Sequence, residues 1–126
     1  MKNIIVSLTI SAIMIISIYY SINYLNKVSQ DLNRLNEDLE EQIIDDNWEL
    51  AYKTSMVLIH KWKEYSKKMK LFSNHQEIDT IEIELWKLPQ YIKEMTKDEA
   101  LASVNVLKFL LNHIAELEKI KFENIF

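Results

Sequence analysis

Apolar residues follow two regimes along this chain. From Ile4 to Ile22 they form a run of nineteen residues without a charge. As a helix that run reaches about 28 Å, close to the roughly 30 Å hydrocarbon thickness of a bilayer. Beyond it the pattern turns periodic. Leu25, Val28, Leu32, Leu35, Leu39 and Ile43 recur at steps of three and four, which predicts an amphipathic helix leading out of the run as a stalk. Trp48, Tyr52, Ser55, Ile59, Trp62, Ser66 and Met69 form a second stripe, roughly 170° from the first at 100° per residue. A straight helix would present its two apolar faces to opposite sides. The economical reading is a break at Asp45-Asp46-Asn47, with Asp46 and Glu49 spaced as a capping box. One continuous helix with two faces is the alternative.

Two further helix starts carry the same chemistry. Asn74 precedes Glu77 by three residues, and Thr96 precedes Glu99 by three. The helix after Asn74 carries Ile78, Ile81, Leu85, Leu88, Ile92 and Met95. The last carries Leu101, Val104, Leu107, Leu111 and Ile114, with Val106, Phe109 and Leu110 off that stripe. Those extra apolar positions predict that it is the most fully buried helix. The apolar ending, Ile120 to Phe126, is expected to dock back on the bundle. The predicted fold is all-α: residues 1–24 as a transmembrane anchor, then residues 25–126 as a three- to four-helix antiparallel bundle. A second soluble helix folding back along the stalk would bring its end to the lipid surface, unless it leans away.

Flanking residues refine the anchor. Tyr19, Tyr20 and Tyr24 cluster at its C-terminal end, where an interfacial aromatic belt belongs. Lys2 before an apolar run resembles a secretory signal, but no small-x-small cleavage site follows, so the segment reads as uncleaved. Lys2 places the N-terminus in the cytoplasm, with Lys27 and Arg34 arguing weakly the other way. The expected topology is a single pass of the cell membrane with the bundle outside. Ser7, Ser11, Ser17 and Ser21 share one face. They suit packing against another membrane helix, or bonding to their own backbone.

Composition narrows the function classes. The chain has no Gly, and sheet proteins need Gly in hairpin turns and bulges. No Cys means no disulfide, thiolate metal site or cysteine nucleophile. All 19 acidic residues lie beyond Ile22 and the net charge is −4, so nucleic acid is not an expected partner. His60, His75 and His113 show no metal-ligand spacing, although Asp79 and Glu116 lie one turn from the latter two. No phosphate loop or paired-carboxylate site stands out, so neither cofactor, metal nor enzymatic activity is expected.

Two surfaces remain. Lys61, Lys63, Lys67, Lys68 and Lys70 lie among Trp62, Tyr65 and Phe72. They read as a lipid-facing patch or as a solvated face near a helix C-terminus. Ile83 and Trp86 lie one turn apart, opposite the main stripe of their helix. They serve either a partner or packing within the chain, the latter against the stalk through Leu32 and Leu35.

The layout resembles domain-of-unknown-function family 4363, short single-span membrane proteins of spore-forming Firmicutes. The resemblance rests on the N-terminal span, Trp48, Trp62, the stretch Asn74 to Asp79, Asn112-His113-Ile114 and the closing Phe122 to Ile125. It implies a membrane-anchored helical domain whose genes often adjoin that of a multi-span membrane protein. Taken together, the expectation is a membrane-anchored interaction or accessory protein. Its partners would be the bilayer and an integral membrane protein or a second copy of itself. The alternative is an extracytoplasmic ligand- or metal-binding sensor.

Overall fold

A computed structural model describes residues 1–71 and 73–125, with the backbone alone for residues 118, 121, 122 and 125. It is all helical: α1 (Lys2–Ile44), α2 (Trp48–Met69), α3 (His75–Lys93) and α4 (Lys97–Ile125), with no strand among the described residues. The apolar run and the stalk are one helix of 43 residues. The break that the phase jump predicts falls at residues 45–47, so the single long helix through α2 is excluded. Successive helices alternate in direction, and each packs on two neighbours in a ring of α1, α2, α3 and α4. The bundle therefore has four helices, and the stalk is one of them.

Short turns make this arrangement possible without glycine. α1 ends in a Schellman motif: Asp46 N–H bonds Ile43 C=O at 3.1 Å, and Asn47 N–H bonds Gln42 C=O at 2.9 Å. α3 ends the same way, with Met95 N–H on Ile92 C=O at 3.1 Å and Thr96 N–H on Tyr91 C=O at 2.9 Å. The motif needs one left-handed residue, and Asp46 and Met95 supply it, each with φ of 57°. Gly usually fills that position; here Asp and Met carry the steric cost instead. Met95 is consequently a turn residue and exposed, not the last position of the α3 stripe.

Capping agrees with the sequence at α3, where the Asn74 side chain accepts from Gln76 N–H at 2.9 Å. It differs at the other two starts. Asn47, not Asp46, caps α2, accepting from Leu50 N–H at 3.4 Å. Asp46 is turned away by its left-handed backbone and meets Lys97 at 3.2 Å. The Thr96 hydroxyl donates back to Tyr91 C=O at 3.0 Å.

The core is a continuous aliphatic column around one large aromatic. Leu25, Val28, Leu32, Leu39 and Ile43 face Leu58, Ile59 and Trp62; Ile78, Ile81, Leu85, Leu88 and Ile92 face Val104, Leu107 and Leu111. Polar residues enter it sparingly. Asn36 is buried and donates to Val104 C=O at 2.9 Å, and at the exposed edge of the same helix pair Asn33 donates to Asn112 Oδ1 at 2.8 Å. These bonds fix α4 axially on α1, as a single buried Asn fixes register in a coiled coil.

α4 is not the deeply buried helix that its composition predicts. Val106 and Phe109 are exposed, the latter at 65%. In a ring of four, each helix has two neighbours and one outward face, and these residues fall on that face. α4 also has the length and hydropathy of a membrane span over Lys97–Leu117, but its packing on α1 and α3 accounts for that apolar character. Ile120 is half exposed. α4 stays helical to Ile125; the Phe122 and Ile125 side chains and Phe126, on which the expected docking of the chain's end rests, lie outside the described residues.

Candidate membrane and partner surfaces

α1 leaves the bundle as a bare apolar rod. None of the residues in its most hydropathic 18-residue window is buried, and that segment is long and apolar enough to cross a membrane. Of the serine face, Ser21 donates its hydroxyl to Ser17 C=O at 2.9 Å, the local bond that a helical serine makes when no neighbour is offered. Ser7, Ser11 and Ser17 stay exposed.

The base of α2 is tied to α1 just beyond this rod. The Tyr65 hydroxyl donates to Asp31 Oδ2 at 2.5 Å, and Lys61 Nζ reaches the same oxygen at 3.2 Å. The Tyr65 hydrogen bond, aided by Lys61, holds the Asp31 carboxyl below the usual range. In return that carboxylate pushes the Tyr65 phenol up to about 12. One turn lower, the Lys68 ammonium lies over the Tyr24 ring, 5.8 Å from its centroid. α2 therefore folds back beside the stalk and does not lean away. Between its last turn and α1 opens a groove of about 640 Å³ lined by Ile16, Ser17, Tyr20, Tyr24, Lys68 and Leu71.

The basic-aromatic cluster divides accordingly. Trp62 is only 1% exposed and belongs to the core. Lys61 serves Asp31, and Lys63 lies over Trp86. Lys67, Lys68 and Lys70 remain exposed at the end of α2. Phe72 lies outside the described residues.

Ile83 and Trp86 are exposed at 59% and 53%. Packing against Leu32 and Leu35 does not occur, because α1 and α3 lie across the ring from each other. The Trp86 ring instead takes the Lys63 ammonium at 5.1 Å. This is an open apolar face with a basic edge.

The histidines sit apart. His60 pairs with Glu64 at 3.5 Å, His75 is exposed at the start of α3, and His113 stacks on Phe109 at 5.4 Å. Among the described residues no three His, Asp or Glu side chains converge as metal ligands would. A shallow groove of about 420 Å³ at the far end is lined by Trp48, Tyr52, Ile92 and Met95. The sequence stripe placed Tyr52 in the core; it lies at the groove's exposed edge.

These features define an all-helical bundle carried on a projecting apolar helix. The chain belongs to the family described as Domain of unknown function (DUF4363), whose model matches residues 19–125, from the last turn of the apolar run through the whole bundle. Comparison with curated proteins and with solved structures gives no match.

Proposed function

We propose that this protein is a single-pass membrane protein whose bundle is an accessory or interaction module for an integral membrane partner or a second copy of itself. Its N-terminus is cytoplasmic and the bundle lies on the opposite face. The observation that carries the reading is the pairing of an unpartnered apolar helix with the open Ile83–Trp86 face. The bundle has closed its own core and still leaves a Trp exposed, and Trp is enriched among residues that anchor interfaces. A photoreactive side chain at position 86, in native membranes, crosslinks one integral membrane protein or a second copy. The same group at exposed Lys53 does not. Equal yields at the two positions would contradict the reading.

A further inference from the structure

We infer that the groove between the base of α2 and the emerging apolar helix is a binding site for one anionic phospholipid of the leaflet next to the bundle. The inference rests on the membrane-spanning reading of α1. Its geometry is set by how far α2 returns. Ile16 lies six residues before Ile22, the polar end of the apolar run. That places Ile16 about 9 Å inside the run, deeper than a headgroup layer of about 5–8 Å. Leu71 shares a groove with Ile16 and Tyr20 and is 84% exposed. A leucine so bare beside a hydrocarbon-level residue is suited to lipid and unsuited to water.

Charge completes the site. Lys68 lines the same groove, its ammonium over the Tyr24 ring, and Lys67 and Lys70 are exposed nearby in sequence at the end of α2. A lysine at this depth lays its methylene stem along apolar surface and lifts its ammonium to the headgroups. There it meets a phosphate. An acyl chain runs down past Tyr20, Ile16 and Leu71. Ser17 and Ser21 also line the groove, the Ser21 hydroxyl turned back onto Ser17 C=O, so the one cation lies at the head end and the tail end is mainly apolar.

The absence of native cysteine makes the test direct. The full chain is reconstituted in phosphatidylcholine vesicles with or without phosphatidylglycerol. A fluorophore is placed on Ile10→Cys, Leu71→Cys or Asp45→Cys, and brominated acyl chains serve as quenchers. The inference expects quenching at 10 and 71 and none at 45. Quenching at 10 but not at 71 overturns the site and leaves the membrane span standing. No quenching at 10 overturns both. In a second arm, native mass spectrometry counts phosphatidylglycerol retained in detergent. Lys68→Gln lowers its affinity about fivefold, the effect of one lysine near an anionic surface, and Lys53→Gln leaves it unchanged. Equal effects of the two substitutions, or retention of phosphatidylcholine to the same degree, overturn the headgroup assignment.

Discussion

Tyr65 and Asp31 form a short hydrogen bond, 2.5 Å, that clamps α2 to α1 two turns beyond the apolar run. The position of this clamp sets where α2 ends, and so brings Lys68 and Leu71 beside Tyr20 and Tyr24.

The clamp makes stability depend on pH in two windows. The Asp31 carboxyl is held low in the folded chain, chiefly by Tyr65 and then by Lys61. Its contribution is present above about pH 4, the ordinary Asp value. It is lost as pH falls through the lowered folded value. The Tyr65 phenol has the opposite sign, since its folded value is raised to about 12. Its contribution is complete below about pH 10, the ordinary Tyr value, and is lost as pH rises toward the folded value. Tyr65→Phe should lower stability at neutral pH by about 1 kcal/mol, a charged hydrogen bond discounted for solvent. It should also flatten both limbs in denaturant titrations of the full chain in detergent. Unchanged pH limbs would remove the clamp from the account.

Trp86 and Trp62 should respond oppositely to truncation. Trp86→Ala should change stability by no more than about 0.5 kcal/mol, because the ring is exposed. Trp62→Ala, at a site only 1% exposed, should cost about 3–5 kcal/mol. A denaturant titration of the pair checks this. A Trp86→Ala loss comparable to that of Trp62→Ala would mean that the ring is covered within the chain.

Met95 offers a gain. It holds φ of 57° in the turn after α3, and its side chain is exposed. Met95→Gly should raise stability by about 1 kcal/mol by removing the left-handed penalty. A lower unfolding midpoint would show that the methionine side chain contributes more than its backbone costs.

Much of this fold was legible because burial follows helical period. Ile78, Ile81, Leu85, Leu88 and Ile92 were named by spacing alone, and all five are core residues. The break near Asp45 was readable for the same reason: no straight helix bends its apolar stripe through 170° at about 100° per residue. What spacing cannot give is the number of neighbours around each helix. Phe109 and Val106 read as buried because they are apolar, yet they face outward once α4 has only α1 and α3 beside it. For Trp86 spacing left two readings open, and the one with packing on Leu32 falls because it would require α3 to be α1's neighbour. The turns hid their geometry for a different reason. Without Gly to mark the left-handed positions, nothing local distinguished Asp46 from Asn47 as the α2 cap. The groove between α1 and α2 depends on the height at which α2 stops. That height is a tertiary quantity, set by Asp31 and Tyr65 across 34 residues of chain.

The position of the bundle relative to the membrane is open to direct measurement by labelling from outside the cell. A single cysteine can be placed at Asn3 or at exposed Lys53, since the chain has none of its own. Intact cells are then treated with a membrane-impermeant maleimide and fractionated. Lys53→Cys should be labelled in intact cells and Asn3→Cys only after lysis, with both chains in the membrane fraction. Protection of Lys53→Cys in intact cells, or recovery of the labelled chain in the soluble fraction, would contradict this topology.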